Sequence, residues 1–258
     1  MDNFLVAIQP YAIAALGGIV PSLLWLLFWL REDKKNPEPT GLIALSFMAG
    51  MVVVYFVLPV QQIIAVIMPT IMDGLHSLGV QYNFIVPPLD TVKTILWSFA
   101  EEFGKYATVF LVAYHTSDFD EPMDCVMYLI TAALGFSAME NTLYILKDLS
   151  GSGFTDVLFN GNMRFLGATV VHTASSALFG IAFAFAYYRA YFWKIVAGFI
   201  GLVMAVLLHA YFNLSIIETH GTMSTLGVFS RYWMVVVGII VLLQIVKNIK
   251  NPNQSQDI

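Results

Sequence analysis

TVKTILWSFAEEFGKYATVFLVAY, residues 91–114, decides what kind of molecule this is. The run is long enough to cross a bilayer, which takes roughly 17–25 apolar residues. Yet Glu101, Glu102 and Lys105 sit in its middle, with aromatic and aliphatic residues on both sides. A charge at the bilayer centre costs roughly 2.5–3.5 kcal/mol on insertion scales, so such residues turn toward a bundle interior. Glu101 and Lys105 are four residues apart and Glu102 and Lys105 three, so the lysine reaches either carboxylate across one helical turn. The segment therefore reads as a spanning helix that hides an ionic group among neighbouring helices.

The rest of the chain supplies those neighbours. Of 258 residues, 59% are apolar and only 11% charged. A soluble domain is about a quarter charged, so lipid must solvate most of this surface. Apolar segments at 4–30, 41–68, 91–114, 125–146, 163–188, 193–215 and 230–247 predict an all-α polytopic transmembrane bundle of about seven spans, or eight if 69–90 dips back into the bilayer. The whole of 1–258 reads as one integral membrane domain, with its site region in 91–215. The N-terminus lacks the basic start and cleavage site of a secretory signal, so the first apolar stretch is expected to remain as a helix. Pro10, Pro21 and Pro59 are expected to kink the first two helices. The single cysteine, Cys125, excludes an internal disulfide and a multi-cysteine zinc site. No basic run points to nucleic acid.

Lysine and arginine in short loops set orientation. Arg31, Lys34, Lys35, Arg189, Lys194, Lys247 and Lys250 fall on one side, and Lys93, Lys147, Arg164 and Arg231 on the other. The bias of seven to four places this protein in the cell membrane with the N-terminus outside and the C-terminus in the cytoplasm.

Depth then ties the polar residues together. Consecutive spans run in opposite directions, so groups at one level lie at alternating distances from the segment starts. At 1.5 Å per residue, Glu101 and Glu102 lie about 15 Å from the outer end of their helix, Glu140 about 9 Å, His172 about 13 Å and His209 about 9 Å. Four segments put their ionisable groups into one layer of the outer half. One turn beyond the histidines stand Ser176 and Asn213, each able to fix a ring tautomer by a hydrogen bond.

Four stretches in this order resemble the PrsW-type intramembrane protease family, which is related to the CAAX-prenyl endopeptidases. FAEEFGK (99–105) is similar to its EExxK motif. EPMDCVMYLITAALGFSAMENTLYIL (121–146) resembles a second block, with Phe136, Glu140 and Asn141 as its FxxxEN signature. RFLGATVVHTASSALFG (164–180) and HAYFN (209–213) resemble a third and a fourth. The resemblance runs over roughly 99–215 and implies hydrolysis of a peptide bond in a membrane-anchored protein, near the extracytoplasmic side. It implies Glu101, Glu102, Lys105, Glu140, His172 and His209 as the catalytic set, with Asn141, Ser176 and Asn213 supporting them. Glu101 or Glu102 is then the base, and Glu140, His172 and His209 hold the water or a metal. His172, His209 and one glutamate would make a His₂Glu set of the kind that holds catalytic Zn2+. A metal-free glutamate mechanism with histidines as oxyanion donors is equally writable.

Each residue also has a bland reading. The EEFGK run alone is a salt-bridged knot between helices, Glu140 alone a helix–helix hydrogen bond, and either histidine a packed, satisfied core residue. Arg164 is an interfacial anchor, and Asp124 a cap for the fourth helix. Two other classes of protein share such a layer: a proton- or ion-coupled transporter, which predicts inverted repeats, and a catalytically inactive scaffold of the same fold.

Overall fold

In hydrocarbon a backbone N–H has no partner but the chain itself, so each apolar run closes its own hydrogen bonds as a helix. The computed structural model of the protein describes residues 2–32, 36–149, 167–218 and 222–249. They form α1 (Asp2–Leu30), α2 (Thr40–Tyr82), α3 (Leu89–Val112), α4 (Asp124–Leu149), α5 (Ala168–Phe185), α6 (Tyr191–Glu218) and α7 (Thr222–Val246), with no strand among the described residues. Lys34, Lys35, Arg164 and Lys250, together with the connection 150–162, lie outside the described residues.

Six of these helices are long and apolar enough to cross a membrane. The seventh, α3, has the length at 24 residues but carries too many charges to qualify by composition, because it is the helix that holds the buried ionic group. Large apolar side chains such as Phe56, Val66, Leu111 and Phe199 stay exposed along the spans. An exposed apolar surface of that kind is what a lipid-solvated bundle presents. The chain is a multi-pass membrane protein.

The second helix differs from expectation. Its 43 residues continue through Pro59 and Pro69 to Tyr82, so most of 69–90 is neither a loop nor a separate dip into the bilayer. At 1.5 Å per residue it is about 64 Å long, twice the roughly 30 Å hydrocarbon core. Proline removes one ladder bond without ending a helix whose neighbours on both sides still favour it, and Ile71, Met72, Leu75, Leu78 and Val80 continue the apolar pattern. The true stop is Asn83, in the left-handed region at φ 55°, ψ 50°, whose N–H donates to the Gly79 carbonyl. Asn and Gly are the residues that end helices this way.

The bundle is built around α4, where every residue from Asp124 to Ala138 is buried. It packs against α1, α2 and α5, while α3 packs against α2 and α6, and α5 against α6 and α7. Contact with α2 is backbone to backbone: a β-carbon on Gly135 would overlap the Phe47 carbonyl, and one on Gly50 the Ala132 carbonyl. Small residues allow such close approach where lipid offers no hydrophobic force between helices.

Several ties join the ends that the loop charges grouped on one side. Lys247 pairs with Glu32 at 2.6 Å, Tyr128 donates to Glu38, and the Tyr187 hydroxyl donates to the Phe119 carbonyl at 2.8 Å. Asp124 does not cap α4. Its Oδ2 accepts the N–H groups of Asp120 and Glu121 at 2.6 and 2.7 Å, because the preceding turn directs those amides inward. The carboxylate thus closes the 113–123 connection instead of the helix end.

Candidate active site

The four spans α3 to α6 do bring their ionisable groups together. Glu101, Glu102 and Lys105 are buried on the inner face of α3, His172 on α5 and His209 on α6, while Glu140 on α4 is partly open. The two imidazole rings stand edge-on, with centroids 4.8 Å apart.

Glu102 is the most heavily bonded member. Its Oε1 accepts from Lys105 Nζ at 2.7 Å and from His209 Nδ1 at 2.7 Å, and its Oε2 accepts from Ser176 Oγ at 3.2 Å. A carboxylate only accepts, so His209 carries its proton on Nδ1 and turns a bare Nε2 toward Glu101 Oε2, 3.6 Å away. Of the two carboxylates within reach on its own helix, Lys105 bonds Glu102.

Lys105 is fully buried, at 0% exposure. Besides Glu102 it donates to His172 Nδ1 at 2.8 Å and lies 4.7 Å above the Phe136 ring. The ring face is the negative end of the aromatic quadrupole and adds to the compensation of that cation. On the other side of the same imidazole, Nε2 donates to Glu140 Oε2 at 3.0 Å. His172 is thereby fixed as the Nε2–H tautomer.

Glu101 is built differently. Gln61 on α2 donates its side-chain amide to Oε1 at 2.7 Å. The second oxygen, Oε2, is buried without a hydrogen-bond partner and faces His209 Nε2 at 3.6 Å and His172 Nδ1 at 3.8 Å. A buried carboxylate oxygen left bare costs of the order of 1–3 kcal/mol or more unless something fills the space.

The supporting residues divide. Ser176 holds Glu102, not the His172 ring one turn away, because its hydroxyl lies on the side of α5 that meets α3. Asn141 donates to Ser137 at 3.2 Å and to Thr169 at 3.1 Å, tying α4 to α5 beside the site. Asn213 is half-buried and makes no hydrogen bond to His209 among the described residues. Gln61 and Thr169 escaped the sequence reading. Two adjacent glutamines in the apolar run VLPVQQIIAV (57–66) were the available signal for the first; Thr169 had none, since threonine is common in spanning helices.

The ligand atoms of Glu101, His172 and His209 lie within 4.8 Å of one another, which makes these three a candidate metal set. Where the resemblance implies Glu140, His172 and His209 as the metal set, the three whose ligand atoms cluster in the structure are Glu101, His172 and His209, and Glu140 bonds His172 Nε2 at 3.0 Å. The chemistry fits a zinc-type ion, with two imidazoles, one carboxylate and a bare oxygen aimed between the rings. Glu102 behind His209 and Glu140 behind His172 form carboxylate–histidine pairs, the usual outer shell of a histidine ligand. One adjustment is required: Lys105 occupies the Nδ1 lone pair of His172 and would have to release it.

Comparison with known proteins identifies the family. A family model described as PrsW family intramembrane metalloprotease matches residues 38–244, well over half of the chain. "Protease PrsW" of Geobacillus kaustophilus is 25% identical over 176 residues, covering 68% of this chain and 66% of that protein. The protein of the same name in Halalkalibacterium halodurans is 23% identical over 204 residues, covering 76% and 80%. The one in Bacillus subtilis is 26% identical over 130 residues, covering 50% and 52%. The chain thus spans just under two thirds of the length of the first relative and more of the second. No solved structure matches it.

Proposed function

The chain belongs to the PrsW family of intramembrane metalloproteases, and on that premise we propose that it hydrolyses a peptide bond of a membrane-anchored protein at the cluster of Glu101, His172 and His209. One observation carries the assignment to this cluster. The bare, buried Oε2 of Glu101 points between two imidazoles whose tautomers are fixed by other glutamates.

In this reading Glu101, His172 and His209 hold the metal. When bound there, a divalent ion polarises the scissile carbonyl and makes water more acidic. Glu102 keeps the proton of His209 on Nδ1, and Lys105 balances the charge of Glu102. Glu140 is the carboxylate open enough to exchange protons with water, its side chain being 32% exposed. As the water adds, its proton passes to a carboxylate of the cluster and from there to the leaving amine, while the hydroxyl joins the carbonyl carbon and the C–N bond breaks. The buried walls on α3 and α5 keep bulk water from the site.

A second reading has its own support. Lys105 donates to His172 Nδ1 at 2.8 Å, the atom that a metal would need. Without a metal, Glu101 acts as the base toward a water held between the rings, and the imidazoles and Lys105 stabilise the oxyanion. The protein purified in detergent separates the two. The first reading predicts about one equivalent of divalent metal, lost in His209→Ala, and cleavage that stops in chelator and returns with Zn2+. Metal-free protein that still cleaves in chelator supports the second, and no cleavage of any anchored substrate removes both, leaving the inactive scaffold.

The loop charges support a C-terminus in the cytoplasm and a site in the outer half of the bilayer. Fluorescent protein fused after residue 258 should therefore fluoresce, and a periplasmic-type reporter there should be silent; the reverse pair would invert the topology.

A further inference from the structure

Glu101 has a neighbour that no motif of the sequence accounts for. A carboxylate at the end of a glutamate side chain turns freely, since its last torsion is broad and two-fold. On its own it would swing its bare oxygen toward any donor in reach, Lys105 included. In the structure it does not. Gln61 Nε2 donates to Glu101 Oε1 at 2.7 Å, so Oε1 is taken and Oε2 alone faces the imidazoles. Only the amide nitrogen of glutamine can donate to a carboxylate, which fixes the orientation of the Gln61 amide as well.

Gln61 is itself held. The indole N–H of Trp97, one turn before Glu101 on α3, donates to the Gln61 backbone carbonyl at 3.0 Å. Trp97 thus anchors the backbone of the residue whose side chain holds Glu101, and the two bonds close a small ring between α2 and α3. Two residues earlier stands Pro59, where α2 lacks an N–H for its own ladder. The neighbour Gln62 points outward and is exposed. One glutamine of the pair therefore faces the site and the other faces away from the bundle.

We infer that Gln61 is a positioning residue for Glu101: its amide holds Oε1 so that Oε2 is presented to the space between His172 and His209, with Trp97 as the anchor of that amide. The inference rests on the proposed role of Glu101, His172 and His209. It adds α2 to a site that the motifs confine to α3–α6. Gln61 touches no reacting atom; it acts through Glu101, so its loss weakens the use of Glu101 without changing how substrate is bound.

The test uses the full-length protein in detergent, with zinc affinity measured by competition against a chelator and cleavage of an anchored substrate measured as kcat and KM. Gln61→Glu keeps length and shape but replaces the donor with an acceptor. Gln61→Met keeps only the bulk. Both are expected to weaken zinc binding by about 10–100-fold, the range for loss of an outer-shell partner. Both should lower kcat by a similar factor at unchanged KM, with Gln61→Glu at least as damaged as Gln61→Met. Trp97→Phe, which removes the anchor and leaves the ring, should show the same pattern more weakly. Gln62→Met should match the native protein in every readout.

Native zinc affinity and kcat in Gln61→Glu would overturn the inference, as would a loss that appears only in KM. A loss equal in Gln62→Met would also overturn it, by pointing to the packing of α2 instead of the hydrogen bond. If the protein binds no zinc, the kcat arm decides alone, because an aimed Glu101 is equally needed as a base. Failure of the underlying reading looks different: His209→Ala then keeps zinc and activity as well, whereas failure of the inference leaves His209→Ala dead and Gln61→Glu native.

Discussion

Glu101→Gln is expected to lower cleavage of a membrane-anchored substrate by roughly 10²–10⁴-fold, the range lost with a positioned acid–base or ligand group. The substitution removes one negative charge and changes almost no volume. Gln61 would still have an oxygen to bond at position 101, so the α2–α3 contact survives. What disappears is the anionic oxygen between the imidazoles, 3.6 Å from His209 Nε2 and 3.8 Å from His172 Nδ1. A fold that depended on Glu101 as a structural knot would instead lose stability in this variant. Glu101→Gln should therefore keep a thermal midpoint within a few degrees of native while cleavage is lost. Retained cleavage, measured on purified protein in vesicles, would remove Glu101 from the chemistry.

Lys105→Met carries the second large effect, and it falls on stability as well as activity. Lys105 is wholly buried and pairs with Glu102 at 2.7 Å. Removing one partner of a buried pair leaves the other charge uncompensated, at a cost of roughly 3–5 kcal/mol. Methionine fills the space over the Phe136 ring but offers nothing to Glu102 or to His172 Nδ1. The single variant should unfold well below the native protein in a detergent melt. The double variant Lys105→Met with Glu102→Gln removes both charges and should recover much of that stability, giving a positive coupling in a double-mutant cycle. Cleavage should not recover, since His209 then lacks its carboxylate partner. Additive stability losses in the cycle would show that Lys105 and Glu102 do not act as a pair.

These two positions also show how far the sequence could be read. Glu101, Glu102 and Lys105 announce themselves because charge within a span is costly enough to demand a shared interior, and helix geometry converts residue counts to depth. Agreement in depth across four helices is enough to gather the cluster from sequence. Which carboxylate does what was not legible. Glu101 and Glu102 are adjacent and chemically identical, and only their partners, Gln61 for one and His209, Lys105 and Ser176 for the other, separate them. Those partners come from 40 to 107 residues away, except Lys105. That the Glu101 carboxylate is the one clustering with both histidines has the same origin.

The length of α2 was hidden for another reason. A proline and a glycine near a bilayer edge read as the end of a helix, yet the apolar pattern beyond Pro69 is still helical in period, and only the left-handed Asn83 marks the stop. Periodicity, not the local punctuation, sets where this helix ends. Ser176 stands one turn from His172, as its spacing implies, but the rotation of α5 against α3 gives its hydroxyl to Glu102 instead of the ring.

The most direct measurement compares membrane fractions of cells making the native chain with those making His209→Ala, identifying new peptide termini in both. At least one membrane-anchored protein is expected to be cut in or beside the outer half of the bilayer in the native sample, and to accumulate intact in the variant. Identical sets of termini from the two, at equal levels of folded protein, would contradict a proteolytic site at this cluster.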